Sequence, residues 1–301
     1  MTNFLIIGIC IIAGMTFRRL KLLPVDAHKG INAWLLYLAM PAVSFKYLPH
    51  IQWNWSLIVP ILAPLVMLLG GWLYIRLYAA KANLNKPTAA GLTLVGGIGN
   101  TSFLGFPMVA AFFAEKDVAI AVICDQVSFI LLASLGVGIA INASQTTGAS
   151  PKIFIKKILA FPVFWGCTMA LILPHYINLS PLDPFFDKLA GTVAPLALFS
   201  IGLQLKFKGY KTELKRITVT LLYKLVIAPA LLIIIAFIFH LRGIITQVTI
   251  FEMAMPPLLS ASIVADEYKL NPQLANLVIG IGLILGLVTA SLWWFVLQLL
   301  Q

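Results

Sequence analysis

Three ionisable side chains, Asp125, Lys224 and Glu252, fall inside long apolar stretches of this sequence. A charge in such surroundings is expensive, and where one is kept it usually marks an ion or substrate path. A second group of polar residues interrupts another apolar segment, which runs from about Thr88 to Ala114. Its centre reads GGIGNTSFLGFP (Gly96 to Pro107) and sets Asn100, Thr101, Ser102 and Pro107 among four glycines. Glycine lowers the cost of unwinding a helix, and proline removes a helical hydrogen bond and clashes with the preceding turn. A helix that restarts near Asn100–Ser102 points free N–H groups and a positive dipole end inwards, which suits a carboxylate. The neutral groups of Asn100, Thr101 and Ser102 add hydrogen bonds and still permit release. The plainer alternative is a proline-kinked helix packed through its glycines, which would not need those three polar residues.

Asp125 and Glu252 each lie roughly eight residues, about 12 Å, from the outer end of their segments, too deep for a short acidic side chain to reach water. Either they hydrogen-bond to a neighbouring helix or they carry a coupling cation. A buried carboxyl suits proton exchange; with the oxygens of Ser128, Thr101 and Asn100 it suits a hard cation such as sodium. Lys224 lies about eight residues from the basic end of its segment, so it either snorkels to the interface or serves a substrate or ion-pair role. The sequence has no HExxH zinc motif, no paired aspartates in a GxGD-type context and no phosphate-binding loop. His28, His50, His175 and His240 stand singly at loops or segment ends. No catalytic residue, metal centre or cofactor is therefore expected beyond a coupling proton or sodium ion. Cys10, Cys124 and Cys167 lie in apolar segments without close pairing and read as buried thiols.

The elements that must position these groups follow from composition. A mean hydropathy of +0.99, with 61% hydrophobic and 10% charged residues, excludes a soluble domain and describes an all-α polytopic membrane protein. Spans of roughly 20 apolar residues fit the chain about ten times. They are expected at 2–17, 29–48, 55–78, 88–114 (interrupted), 118–142, 153–173, 184–205, 216–240, 244–265 and from 274 onwards. The first carries no basic leader and no small-residue cleavage site, so it reads as a span and not as a signal peptide. With the N-terminus outside, 16 of the 21 basic residues fall in inner loops. Positive charge resists translocation, so a multi-pass protein of the cell (inner) membrane with both termini outside is expected. The membrane accounts for the net charge of +11, and no nucleic acid need be invoked.

The halves of the chain echo each other. PAVSF after Pro41 resembles PLALF after Pro195, and FPMVAAFFAEKD resembles PPLLSASIVADEY. The spacing from Pro41 to Pro107 is 66 residues and that from Pro195 to Pro257 is 62. Five spans per half would make the second copy enter the membrane upside down. The expected organisation is a first five-helix repeat over 1–142, a cytoplasmic linker over 143–151, and an inverted repeat over 152–301. Inverted repeats with one broken helix each place substrate at the repeat interface.

Three stretches carry a family resemblance: LLYLAMPAVSF (Leu35–Phe45), GNTSFLGFP (Gly99–Pro107) and AMPPLLSASIVADEYKLNP (Ala254–Pro272). Together, and in this order, they resemble the auxin efflux carrier family, the PIN-like transporters of bacteria and plants. The resemblance implies ten transmembrane helices as two inverted five-helix repeats, with broken fourth and ninth helices that cross at prolines. It also implies a scaffold domain and a transport domain moving in an elevator-like manner. Asn100 and Pro107 match the family's crossover asparagine and proline in the fourth helix. In the ninth, plant members have a proline near Ser260–Ala261, whereas this chain has Pro256–Pro257 upstream, which leaves its break point open. The long hydrophilic central loop of many plant members is missing.

The expected function is secondary active transport of a small organic anion, with Asn100, Thr101, Ser102, Pro107, Pro256, Pro257 and Ser260 at the substrate. Asp125, Glu252, Ser128 and Lys224 are assigned to ion coupling. An uncoupled anion channel or facilitator is the alternative, and an intramembrane enzyme the remoter one; a channel would more naturally show charged rings or a filter sequence. The lipid bilayer surrounds the protein, and a homodimer is an allowed assembly.

Overall fold

A computed structural model describes residues 2–51, 53–144, 159, 162–205 and 210–299. Apart from one isolated β-bridge, its regular elements are helical. In chain order they are α1 (Thr2–Arg19), α2 (27–47), α3 (Trp55–Ala82), α4 (Lys86–Gly97), α5 (Thr101–Phe112), α6 (118–143), α7 (Pro162–His175), α8 (Ser180–Gln204), α9 (Tyr210–Ile238), α10 (Ile244–Met253), α11 (Ser260–Glu267) and α12 (Pro272–Leu299). Helices α3, α6, α8, α9 and α12 are each long and apolar enough to cross a membrane; α5, α7 and α10 are apolar but shorter. The expected linker, 143–151, lies outside the described residues after Ser144, as does most of the sixth expected span before Pro162.

Proline shapes these helices in a recurrent way. Pro41, Pro107 and Pro229 each stand two residues after a π-helical turn, over Leu35–Ala39, Thr101–Gly105 and Tyr223–Ile227 respectively. Proline has no N–H for the carbonyl four residues back, and its ring crowds that carbonyl. One wide turn relieves both problems without ending the helix. Pro195 avoids the problem differently: α8 breaks at Gly191–Thr192, so the proline sits in the first turn of the segment Val193–Gln204.

The chain divides into two compact units, and each draws segments from both halves of the sequence. The first comprises Met1–Asn54, Ser102–Val122 and Ile158–Leu205. Within it α1 runs along α8 and α2 packs on α7. Gly14 and Gly202 let the first pair approach closely, because a Cβ on either would strike the other helix's backbone. Arg18 donates to the carbonyls of Leu203 (2.8 Å) and Leu205 (3.1 Å) and so caps the end of α8. Pro41 lies against Gly166, and the Ser44 hydroxyl and Cys167 thiol are 2.9 Å apart.

The second unit comprises Trp55–Thr101, Ile123–Lys157 and Lys206–Gln301. Its core is α4, which packs against α3, α6, α11 and α12. Nine of the twelve residues of α4 are buried, so this helix shows no polar face. Its start is fixed by Asn85, whose side chain accepts from the Thr88 N–H at 2.9 Å. Gly91 permits contact with the Leu270 carbonyl, and Gly97 permits contact with Leu68.

Candidate functional site

The interrupted apolar segment breaks between Gly97 and Thr101. Ile98 is extended, with φ −129° and ψ 133°. A second break separates α10 from α11 at 254–259. The two breaks cross as paired extended strands. Gly99 bridges Pro257 in antiparallel sense, the Asn100 N–H donates to the Pro256 carbonyl at 2.7 Å, and the Leu258 N–H donates to the Ile98 carbonyl at 3.1 Å. Unwound backbone at membrane depth must be satisfied by protein, and here each broken segment satisfies the other. The two prolines fall where no N–H is asked for, so only the carbonyl of Pro256 and the amide of Leu258 take part.

This geometry settles where the ninth apolar segment breaks: at Pro256–Pro257, upstream of Ser260, which opens α11 and is half-buried. It corrects the expectation that the fourth helix crosses at Pro107. The crossing residues are Ile98–Asn100, and Pro107 stands inside α5, where the preceding π-turn absorbs it. Ser102 and Pro107 belong to the first unit; Asn100, Thr101, Asp125, Ser128, Lys224, Glu252, Pro256, Pro257 and Ser260 belong to the second.

Around the crossing, the three ionisable residues converge. The Thr101 hydroxyl donates to Asp125 Oδ1 at 2.7 Å, so an acid of α6 lies at the first turn of the restarted helix. That turn carries the partial positive charge of unsatisfied N–H groups, which favours an anion. Lys224 is fully buried, which corrects the snorkelling alternative. Its Nζ donates to the Met253 carbonyl at 2.8 Å and to Met67 Sδ at 3.4 Å. The neighbouring Tyr223 hydroxyl donates to the Met67 carbonyl at 2.7 Å, so consecutive residues of one π-turn clamp α9 to α3.

Glu252 lies on the last turn of α10 and has no exposed surface. Neither of its carboxyl oxygens has a hydrogen-bond partner among the described residues, and the same holds for the buried hydroxyl of Ser128. An unpartnered buried carboxylate is among the most expensive arrangements a protein can hold. Asp125 and Lys224 lie within electrostatic reach of Glu252.

Several participants escaped the sequence reading. Gly282 and Gly286 of α12 form the floor under the prolines: a Cβ on Gly282 would come within 2.7 Å of the Pro257 ring, and one on Gly286 within 2.7 Å of Pro256. Their small-xxx-small spacing in GIGLILG was the available signal. Tyr223, Met67 and the Met253 carbonyl carried no such signal, because their roles arise from backbone geometry.

A family model described as membrane transport protein matches residues 1–294. The chain belongs to that family. The protein is therefore a membrane transporter of the auxin efflux carrier type and not an enzyme. It is 24% identical over 293 residues to an uncharacterized transporter of Methanothermobacter thermautotrophicus, covering 96% of this chain and 95% of the relative. It is 24% identical over 288 residues to a candidate malonate transporter of Rhizobium meliloti, covering 89% of this chain and 86% of that one. Auxin efflux carrier component 8 of Arabidopsis thaliana is 29% identical over 109 residues, covering 35% of the transporter described here and 29% of the plant protein.

Proposed function

We propose that this transporter is a secondary active carrier of a small organic carboxylate, binding it at the crossing of the two broken segments. The observation that carries the reading is the Gly99–Pro257 crossing. It sets two half-helix ends, Gly97 and Met253, against two helix starts, the buried Thr101 and the half-buried Ser260. Helix starts of this kind attract anionic groups, and half-helix ends attract coupling cations. The likeness to a candidate malonate transporter supports a carboxylate. Asn100, Thr101, Ser102, Pro256, Pro257 and Ser260 are assigned to the substrate, with Pro107 setting the course of α5. Glu252, Asp125, Ser128 and Lys224 are assigned to a coupling proton or sodium ion.

The organisation we propose is ten spans as two inverted five-helix repeats, 1–142 and 152–301, joined by the linker over 143–151 and worked by an elevator-like motion. Interleaving of the halves within each compact unit supports it. The excess of basic residues in alternate loops supports an orientation with both termini outside. Counterflow in proteoliposomes tests the carrier reading: external labelled malonate or a related dicarboxylate should enter faster when unlabelled substrate is inside. Equal rates with empty vesicles would favour a channel. For orientation, cysteines placed in 143–151 or at Lys211 should react only from the cytoplasmic side, and outside labelling would overturn the repeat inversion.

A further inference from the structure

We infer that Lys224 is a built-in cation of the crossing, holding the place that a coupling sodium ion would take, so that this transporter is proton-linked and sodium-independent. The inference rests on the carrier reading above for its transport arm only. Carbonyls at the end of a half-helix are the ligands that broken-helix transporters offer to a coupling cation. Here the Met253 carbonyl, at the end of α10, is taken by Lys224 Nζ at 2.8 Å. That ammonium reaches into the crossing itself: a Cβ on Gly99 would lie 3.1 Å from Nζ. One further contact fixes it, to Met67 Sδ at 3.4 Å, and Met67 is itself held by the Tyr223 hydroxyl through its carbonyl. The lysine sits on a π-turn, a feature frequent at functional positions.

Charge balance gives the second half of the inference. The ionisable groups within electrostatic reach of Glu252 are Asp125 and Lys224, with the Cys124 thiol beside them. Of the helices packed against α10, α12 and 228–238 of α9 carry no ionisable side chain. Those of α3 (Tyr74, Arg76, Tyr78 and Lys81) lie in its C-terminal part and are not among the groups that act on Glu252. Asp125 is held by Thr101 at the start of α5. One lysine therefore faces two carboxyls, and the cluster is neutral when one carboxyl holds one proton. Glu252, with neither oxygen hydrogen-bonded among the described residues, is the one left to carry it. A sodium ion in place of that proton would balance the charge equally, but it would lack the Met253 carbonyl, which Lys224 already takes.

The test compares the purified full chain in about 150 mM sodium chloride and in equal choline chloride, so that screening is matched. Wild type should melt at the same temperature in both. Lys224→Met removes the ammonium and should melt lower in choline, then rise by about 3 °C or more in sodium as the ion fills the vacated place. Lys224→Gln, which keeps a donor for Met253 without the charge, should respond in the same direction and serves if the methionine variant does not fold. In proteoliposomes, wild-type malonate uptake should follow an imposed pH gradient and ignore a sodium gradient. Sodium-specific stabilisation of wild type, or folded Lys224 variants indifferent to sodium, would overturn the inference. Absence of uptake for every carboxylate tried would instead count against the carrier reading, and the melting comparison would still decide the role of Lys224.

Discussion

Two clusters in this protein have the same composition, one lysine and two acids, and opposite physics. In the first unit Lys46 contacts Glu115 at 2.7 Å and Asp187 at 3.1 Å, and the two acids are 68% and 56% exposed. In the second unit Lys224, Asp125 and Glu252 are all buried, and the lysine donates to a backbone carbonyl and not to Glu252. The exposed cluster is direct, screened and cheap to break. The buried one leaves Glu252 without a hydrogen bond among the described residues, an arrangement that costs stability. An exposed pair adds little to stability, and an open acid inside a membrane is the costlier arrangement, so the proposed coupling role falls on the second cluster.

The comparison breaks most visibly at Glu252. Glu252→Gln keeps shape and hydrogen bonding but cannot ionise, so it should abolish accumulation of substrate against its gradient while downhill exchange persists. Labelled uptake with and without an imposed pH gradient reads this, and undiminished accumulation would make Glu252 structural.

The next largest effect should come from the floor of the crossing. Gly286→Val would drive a side chain into Pro256 and should cost about 1–3 kcal/mol by overpacking. Gly30 of α2 provides the contrast, because a Cβ added there would meet nothing within 4 Å. Gly30→Ala should be neutral or stabilise by about 0.5–1 kcal/mol through helix propensity. Thermal melts of both variants in one detergent make the measurement, and equal losses would remove the distinction between the sites.

Asn100→Ala should weaken carboxylate binding about tenfold, or about 1.4 kcal/mol, with expression close to wild type. Direct binding of labelled malonate reads it, and unchanged affinity would move the substrate away from the crossing. Smallest of all is the exposed cluster. Lys46→Met should cost at most about 1 kcal/mol and leave transport unchanged. Its contribution has a defined pH range: the hydrogen bond from Lys46 holds the Glu115 carboxyl below its ordinary value of 4.5. That stability is present above pH 4.5 and is lost as pH falls through the lower folded-state value. A wild-type-minus-variant difference that grows below about pH 4 would contradict the assignment.

The sequence by itself determined the class, the helices and the suspects. Hydropathy located the apolar segments because a bilayer admits few ways to satisfy a backbone. Glycine, asparagine and proline marked the interruption before Thr101, and depth within a segment singled out Asp125, Lys224 and Glu252. What only the tertiary structure decided is which groups meet. The partner of the Asn100 amide is the Pro256 carbonyl, 156 positions further along the chain, and no local pattern encodes that pairing. Pro107 misled for a related reason. Proline signals a disturbed helix, and whether the disturbance becomes a π-turn or a break depends on what packs against it; a second extended strand lay opposite Gly99 and not opposite Pro107. Lys224 was ambiguous in sequence because its stem could reach either water or a carbonyl, and the end of α10 at Met253 decided between them.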